Sequence, residues 1–201
     1  MINANANAAV APVRREEGEP EWMVWVTVAV ALVLGFFLMW YITNQTTAAS
    51  AGGTTLSYPA TWVQTSESGA AFAVADLRNG GTFGDRAAVF ELPKAELLPR
   101  DGGLQEAAAN YTLAQQDARV GYRVLSVHSL TVQNRDAIQI ESGYLLDSPY
   151  GGTSMPALMH GIDTIVMSGD TFYVLSYATR AGDVDNATSA NDKLVNNWRL
   201  P

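Results

Sequence analysis

Leu158-Met-His-Gly-Ile-Asp-Thr-Ile-Val-Met167 and Thr171-Phe-Tyr-Val-Leu-Ser-Tyr-Ala-Thr179 are joined by Ser168-Gly-Asp170. Two runs rich in β-branched and aromatic residues, separated by a short Gly-containing turn, predict an antiparallel hairpin. The same pattern extends upstream. Asp136–Leu146 connects through the tight turn Gln133-Asn-Arg135 to Tyr122–Val132, whose alternation puts Val124, Ser126, His128 and Leu130 on one face and Leu125, Val127 and Ser129 on the other. Ala70–Leu77, closed by Arg78-Asn-Gly-Gly81, and Arg86–Leu92, stopped by Pro93, complete the predicted strands.

Two segments carry helical spacing instead. In Leu104–Arg119, the residues Leu104, Ala107, Ala108, Tyr111, Ala114 and Ala118 recur at steps of three and four. In Val184–Trp198 the apolar face is Ala187, Asn191, Leu194, Val195 and Trp198, with Asp183 and Asp185 as candidate N-caps. Strands, a helix, four strands and a helix give an α+β domain, an antiparallel β-sheet flanked by helices.

One segment lies outside this pattern. Trp22–Ile42 is 21 residues without a charge, a proline or a side-chain amide. At about 1.5 Å per residue it spans about 30 Å, a bilayer's hydrocarbon thickness. Trp22 and Trp25 at one end, and Trp40 and Tyr41 at the other, form the interfacial anchors of a transmembrane helix. Arg14 and Arg15 precede it, and no Lys or Arg follows until Arg78, which predicts a cytoplasmic N-terminus and a translocated C-terminal domain. Ala49-Ser-Ala51 has the form of a signal-peptidase site. The long apolar run, the long preceding segment and the distance to that site favour a retained anchor. Within the span, Thr27, Ala31 and Gly35 fall four apart, a small-residue stripe suited to close packing against another helix. The absence of any ionisable residue between Trp22 and Ile42 argues against an ion or proton path through it.

The 201 residues thus divide into a disordered cytoplasmic segment 1–21, the span 22–42, a flexible polar linker 43–53 and a domain 54–201. The whole chain has a net charge of −8. The domain retains 16 acidic and 10 basic residues, with no basic cluster, so nucleic acid and anionic lipid are poor partners. There is no cysteine, which excludes disulfides, thiolate metal sites and lipoprotein anchoring and suits a bacterial envelope.

At this point the order of elements resembles a known fold. Leu56-Ser-Tyr-Pro-Ala-Thr-Trp62 is a Tyr-Pro-x-x-Trp entry strand. It is followed by a helix, Tyr122-Arg-Val-Leu125, Ala137-Ile-Gln-Ile-Glu-Ser-Gly-Tyr144, the late strand Gly169–Ala178 and a last helix ending Leu194-Val-Asn-Asn-Trp198. Over about residues 56–200 this is similar to the PsbP-like fold of extrinsic photosystem subunits and many bacterial surface proteins, with the difference that this chain carries its own span. No ligand residues match. The resemblance implies a non-catalytic docking or accessory domain.

The chain carries few residues in a chemically recognisable pattern. His128 and His160 have no His or Cys at ligand spacing. Met155, Met159 and His160 form a soft-ligand cluster on which a Cu(I) site can be tested, against the plainer reading of core methionines. Asp183-Val-Asp-Asn186 lacks the Gly and distal Glu of a calcium loop. No nucleophile elbow or phosphate loop is present. No catalytic, metal or cofactor site is therefore expected. The expected function is a non-catalytic, single-span accessory subunit of a larger respiratory or photosynthetic membrane complex. Its partners are the lipid bilayer and other integral membrane subunits. The alternative is a tethered binding module for a small apolar ligand or an envelope component, with a pocket lined by Tyr111, Tyr144, Phe172 and Tyr177.

Overall fold

A computed structural model describes residues 21–78, 83–98, 100, 102–147 and 155–201. Arg14, Arg15, the rest of segment 1–20 and the Asn79-Gly-Gly81 turn lie outside those residues. The chain divides into two compact units, residues 1–42 and 43–201.

In the first unit, Glu21–Thr43 is helix α1. Its stretch Trp22–Ile42 is long and apolar enough to cross a membrane, and none of it is buried. Apolar side chains surround it on every side, so no single face marks it as a surface helix of a globular core. The Thr27 hydroxyl is satisfied within the helix, donating to the Met23 carbonyl at 2.8 Å.

The second unit is α+β. Seven antiparallel strands form the main sheet: β3 (Val63–Thr65), β4 (Ala70–Ala75), β5 (Arg86–Pro93), β6 (Arg123–Val132), β7 (Arg135–Leu146), β8 (Ala157–Ser168) and β9 (Thr171–Arg180). Their spatial order is β3-β4-β5-β9-β8-β7-β6. The β8–β9 hairpin pairs from Met159–Arg180 to Ser168–Thr171, as its sequence predicts, and Gly169 supplies the positive φ of its turn. The β6–β7 turn is equally short, two residues. Gln133 and Asn134 both have positive φ, which matches the twist of the flanking strands.

Strict alternation divides the core in two. On one face Ile138, Ile140, Ile165, Phe172 and Val174 pack against α2 (Lys94–Leu97) and α3 (Leu104–Ala118) through Leu97, Ala107, Ala108 and Tyr111. On the other, Ala137, Ile162, Val166, Tyr173, Leu175 and Tyr177 pack against α4 (Val184–Asn197) through Ala187 and Leu194. Ala114 and Ala118, expected on the buried face of α3, are exposed; the covered side continues instead through the half-buried Thr112 and Gln115. Asp183 occupies the N-cap position of α4 without a side-chain cap bond, and Asp185 lies in the first turn.

Two expectations are corrected. Residues 43–53 are not simply a linker: Thr46–Ala51 is strand β1, paired antiparallel with β2 (Thr54–Pro59). The Gly-Gly read as flexibility makes the hairpin turn, with φ of 56° at Gly52 and 87° at Gly53. The Glu91 side chain packs where a Cβ on Gly52 would sit. Together with β10 (Trp198–Arg199), β1 and β2 form a separate three-stranded sheet, so the entry strand does not join the main one. Second, β6 does not alternate as expected. Its register slips between Val124 and Ser126, which pair with the successive residues Ser142 and Glu141 and therefore point to opposite faces. A bulge at Leu125 is the reason.

Candidate functional site

Two features of the second unit stand out: a surface cleft and a buried polar cluster. The cleft lies between the β1–β2 hairpin and α4 and has a volume of about 430 Å³. Small side chains, Ser57, Ser189 and Ala190, leave the space. Tyr58 and Trp62 line its apolar part, and side-chain amides from Gln45, Asn186 and Asn197 line its polar part. Asp85 also faces it, and its position is fixed twice. Its carboxylate accepts a 2.7 Å bond from the Thr179 hydroxyl, and its carbonyl accepts one of 2.7 Å from Asp76 N–H. Tyr177, beside Asp85, has its pKa raised by burial first and by that carboxylate second.

The buried cluster lies on the α3 face, where β7, β8 and β9 bring Ser142, Asp163 and Ser176 together with Tyr111, Arg119, Tyr122 and Tyr144. Asp163 is fully buried, and burial raises its pKa although Arg119, Ser176 and Tyr111 act to lower it. Neither carboxylate oxygen has a hydrogen bond of good geometry, and the same holds for Tyr111 Oη, Tyr122 Oη, Ser142 Oγ and Arg119 Nη1. The Arg119 guanidinium stacks 4.5 Å from the Tyr144 ring centre. Burial acts to depress its pKa, but Asp163 and then Tyr144 and Tyr111 carry it above the ordinary value. Burial likewise raises the pKa of Tyr111, Tyr122 and Tyr144.

Gly161 makes this crowding feasible. A Cβ there would lie 2.9 Å from Ser142 Oγ and 3.1 Å from Tyr144 Cε1. Gly161→Ala is therefore expected to cost about 1–3 kcal/mol through overpacking, read as a lower denaturation midpoint at an unchanged m-value.

The structure places the remaining sequence candidates apart. Phe172 and Tyr177 are fully buried in the cores on opposite faces of the sheet, and Tyr111 packs with Phe172. Tyr144 borders a cavity of about 290 Å³ shared with Glu67, Arg86 and Arg119. The four aromatics do not line one apolar pocket. Met159 is buried and His160 follows it in β8, so their side chains leave opposite faces, while Met155 is exposed. The copper candidate is not assembled. His160 instead lies 3.9 Å from Glu141, and His128 is exposed on β6. Among the described residues, no three His, Cys, Asp or Glu come together as metal ligands.

Sequence reasoning missed Asp85, Arg119 and Asp163. A signal existed for Asp163, a carboxylate inside the apolar run Ile162–Val166. None existed for Asp85, whose hydroxyl partner lies 94 residues away.

No protein-family model matches the sequence, and no curated protein matches it. Solved structures do match. The solution structure of cyanobacterial PsbP (CyanoP) from Synechocystis superposes with a TM-score of 0.58 at 12% identity, covering 78% of this chain and 92% of that one. The domain has the PsbP-like fold. The Ran-binding protein Mog1p of Saccharomyces cerevisiae matches with a TM-score of 0.52 at 11% identity, over 78% of this chain and 95% of that one. At such identities the likeness concerns the PsbP-like fold alone.

Proposed function

We propose that this chain is a non-catalytic accessory subunit of a membrane complex, held by α1 as a retained single span, with its PsbP-like domain docked on the extracytoplasmic face. The observation that carries the reading is the wholly exposed apolar helix Trp22–Ile42 joined to that domain. Such a helix has no place in water and needs lipid or partner helices around it. The stripe Thr27, Ala31 and Gly35 is the face on which a partner span packs, and Trp22, Trp25, Trp40 and Tyr41 seat the helix at the two interfaces. Nothing obstructs a Cβ at Gly35 within the chain, so its small size is left for a neighbour to use. One of the two structures of like fold is a Ran-binding protein, so a domain of this shape is able to bind a protein partner.

Mild detergent extraction followed by sizing and mass spectrometry tests the reading. The expected result is co-purification with other integral membrane proteins. A lone 21.6 kDa monomer in its micelle would count decisively against it. A mature chain lacking residues 1–51 would show instead that α1 is a cleaved signal. The paired substitution Ala31→Leu and Gly35→Leu is expected to release the partners while the chain stays in the membrane fraction, because hydrophobicity is kept and only close approach is lost.

A further inference from the structure

We infer that the cleft between the β1–β2 hairpin and α4 binds an uncharged, polyhydroxylated ligand of sugar type, a role separate from docking through α1. The chemistry of the lining carries this. Side-chain amides from Gln45, Asn186 and Asn197 each offer both a donor and an acceptor. A hydroxyl, itself donor and acceptor, is the group that can satisfy both. Asp85 adds a carboxylate held in place by Thr179 and by its own backbone bond, so no ordering is needed for it to accept from a pair of neighbouring hydroxyls. Tyr58 and Trp62 are nearly buried and close the floor of the cleft, where only a small apolar edge is left for the C–H groups of a ligand to touch.

Other ligand classes fit less well. A purely apolar ligand would strip water from the amides and return no hydrogen bonds. An anion or a cation finds no surplus of opposite charge, since Asp85 is matched by Lys193 in the same lining. The volume of about 430 Å³ falls within the usual range for small-ligand sites. The rim is also braced, because Ala60 N–H donates to the Gln45 carbonyl at 2.8 Å and Trp62 N–H to the Pro59 carbonyl at 2.9 Å.

The same headgroup chemistry comes from a free saccharide or from a glycolipid, and the experiment separates them. The full chain is placed in phosphatidylcholine nanodiscs, free of sugar-headed detergent. Maltose, cellobiose and N,N′-diacetylchitobiose are titrated by calorimetry. Hydrogen exchange of segments 44–62 and 184–197 is compared in nanodiscs with and without digalactosyl diacylglycerol. The expected result is binding of at least one disaccharide at about 1 mM or tighter, or exchange protection confined to those two segments when the glycolipid is present. The first outcome assigns a soluble saccharide and the second a lipid headgroup. Asn186→Ala with Asn197→Ala, both on the exposed face of α4, is expected to weaken binding about tenfold. Ser189→Trp, which fills the cleft from an exposed helical position, is expected to abolish it. Silence in both arms overturns the inference, and so does binding that Ser189→Trp leaves unchanged. Binding of acetyl-trialanine amide with the sugars silent would likewise overturn it, in favour of a peptide.

Discussion

Replacing Trp198 by alanine is expected to destabilise the PsbP-like domain by about 3–5 kcal/mol, the cost of removing a large aromatic from a packed core. Trp198 is fully buried and is among the largest side chains in the core beneath α4. It also ties the small sheet together. Its indole N–H donates to the Thr54 hydroxyl at 2.8 Å, and that hydroxyl donates to the Arg199 carbonyl at 3.0 Å. Both Thr54 and Trp198 are excluded from water, so the truncation leaves a buried hydroxyl short of one partner as well as a cavity. The residues around Trp198 extend the tie to the main sheet. Gln133 in the β6–β7 turn donates to the Trp198 carbonyl, and Arg135 donates to the Pro201 carbonyl at 2.8 Å. For a domain of this size the loss corresponds to a fall in Tm of roughly 6–20 °C, measurable by near-ultraviolet circular dichroism on the full chain in detergent. Trp198→Phe keeps most of the volume and loses only the donor, so about 1 kcal/mol is expected. Equal losses for the two variants would show that the hydrogen bond, and not the packing, carries the effect.

Arg119→Ala is expected to cost about 3–5 kcal/mol, the penalty for leaving a buried charge without its compensating partner. Asp163 lies fully inside, and Arg119 is the largest influence opposing its desolvation. Arg119→Ala also removes the guanidinium from the Tyr144 ring. The companion substitution Asp163→Asn separates charge from packing, because it keeps the shape and removes the ionisation. Its sign with pH follows from the raised pKa. Between the ordinary aspartate pKa and the higher folded value, the folded state holds a proton that the unfolded state has released. Stability from this group is therefore full below the unfolded pKa and is lost as pH rises through the folded one. The difference between Asp163→Asn and the parent chain should therefore shift in favour of the variant as pH rises above the ordinary aspartate range. A difference that stays flat over that rise, in chemical denaturation at several pH values, would mean that Asp163 titrates as an ordinary surface carboxylate.

Much of the architecture was legible beforehand because its signals are local. The periodicity of Leu104–Ala118 and Val184–Asn197 marks the two long helices within one residue of their observed ends. The β-branched runs of β8 and β9 mark two strands buried on both faces, as central strands require, and β7 alternates between buried and half-buried residues. Where the sequence reading failed, a local cue had two structural meanings. Gly52-Gly53 has the composition of a flexible linker and the backbone of a hairpin turn, and only pairing with Thr54–Pro59 decides between them. The bulge at Leu125 has no signature in composition at all.

By itself the amino-acid sequence determined the apolar helix, the antiparallel α+β order and the absence of any thiol chemistry, since each depends on residue type and short-range spacing. Only the tertiary structure decided which polar groups meet. Asp85 joins Thr179 across 94 residues and Trp198 joins Thr54 across 144. Arg119 leaves the end of α3 to approach an aspartate in β8. Contacts of that kind follow from strand order and register, which place side chains from distant segments on one face, and no local pattern encodes them.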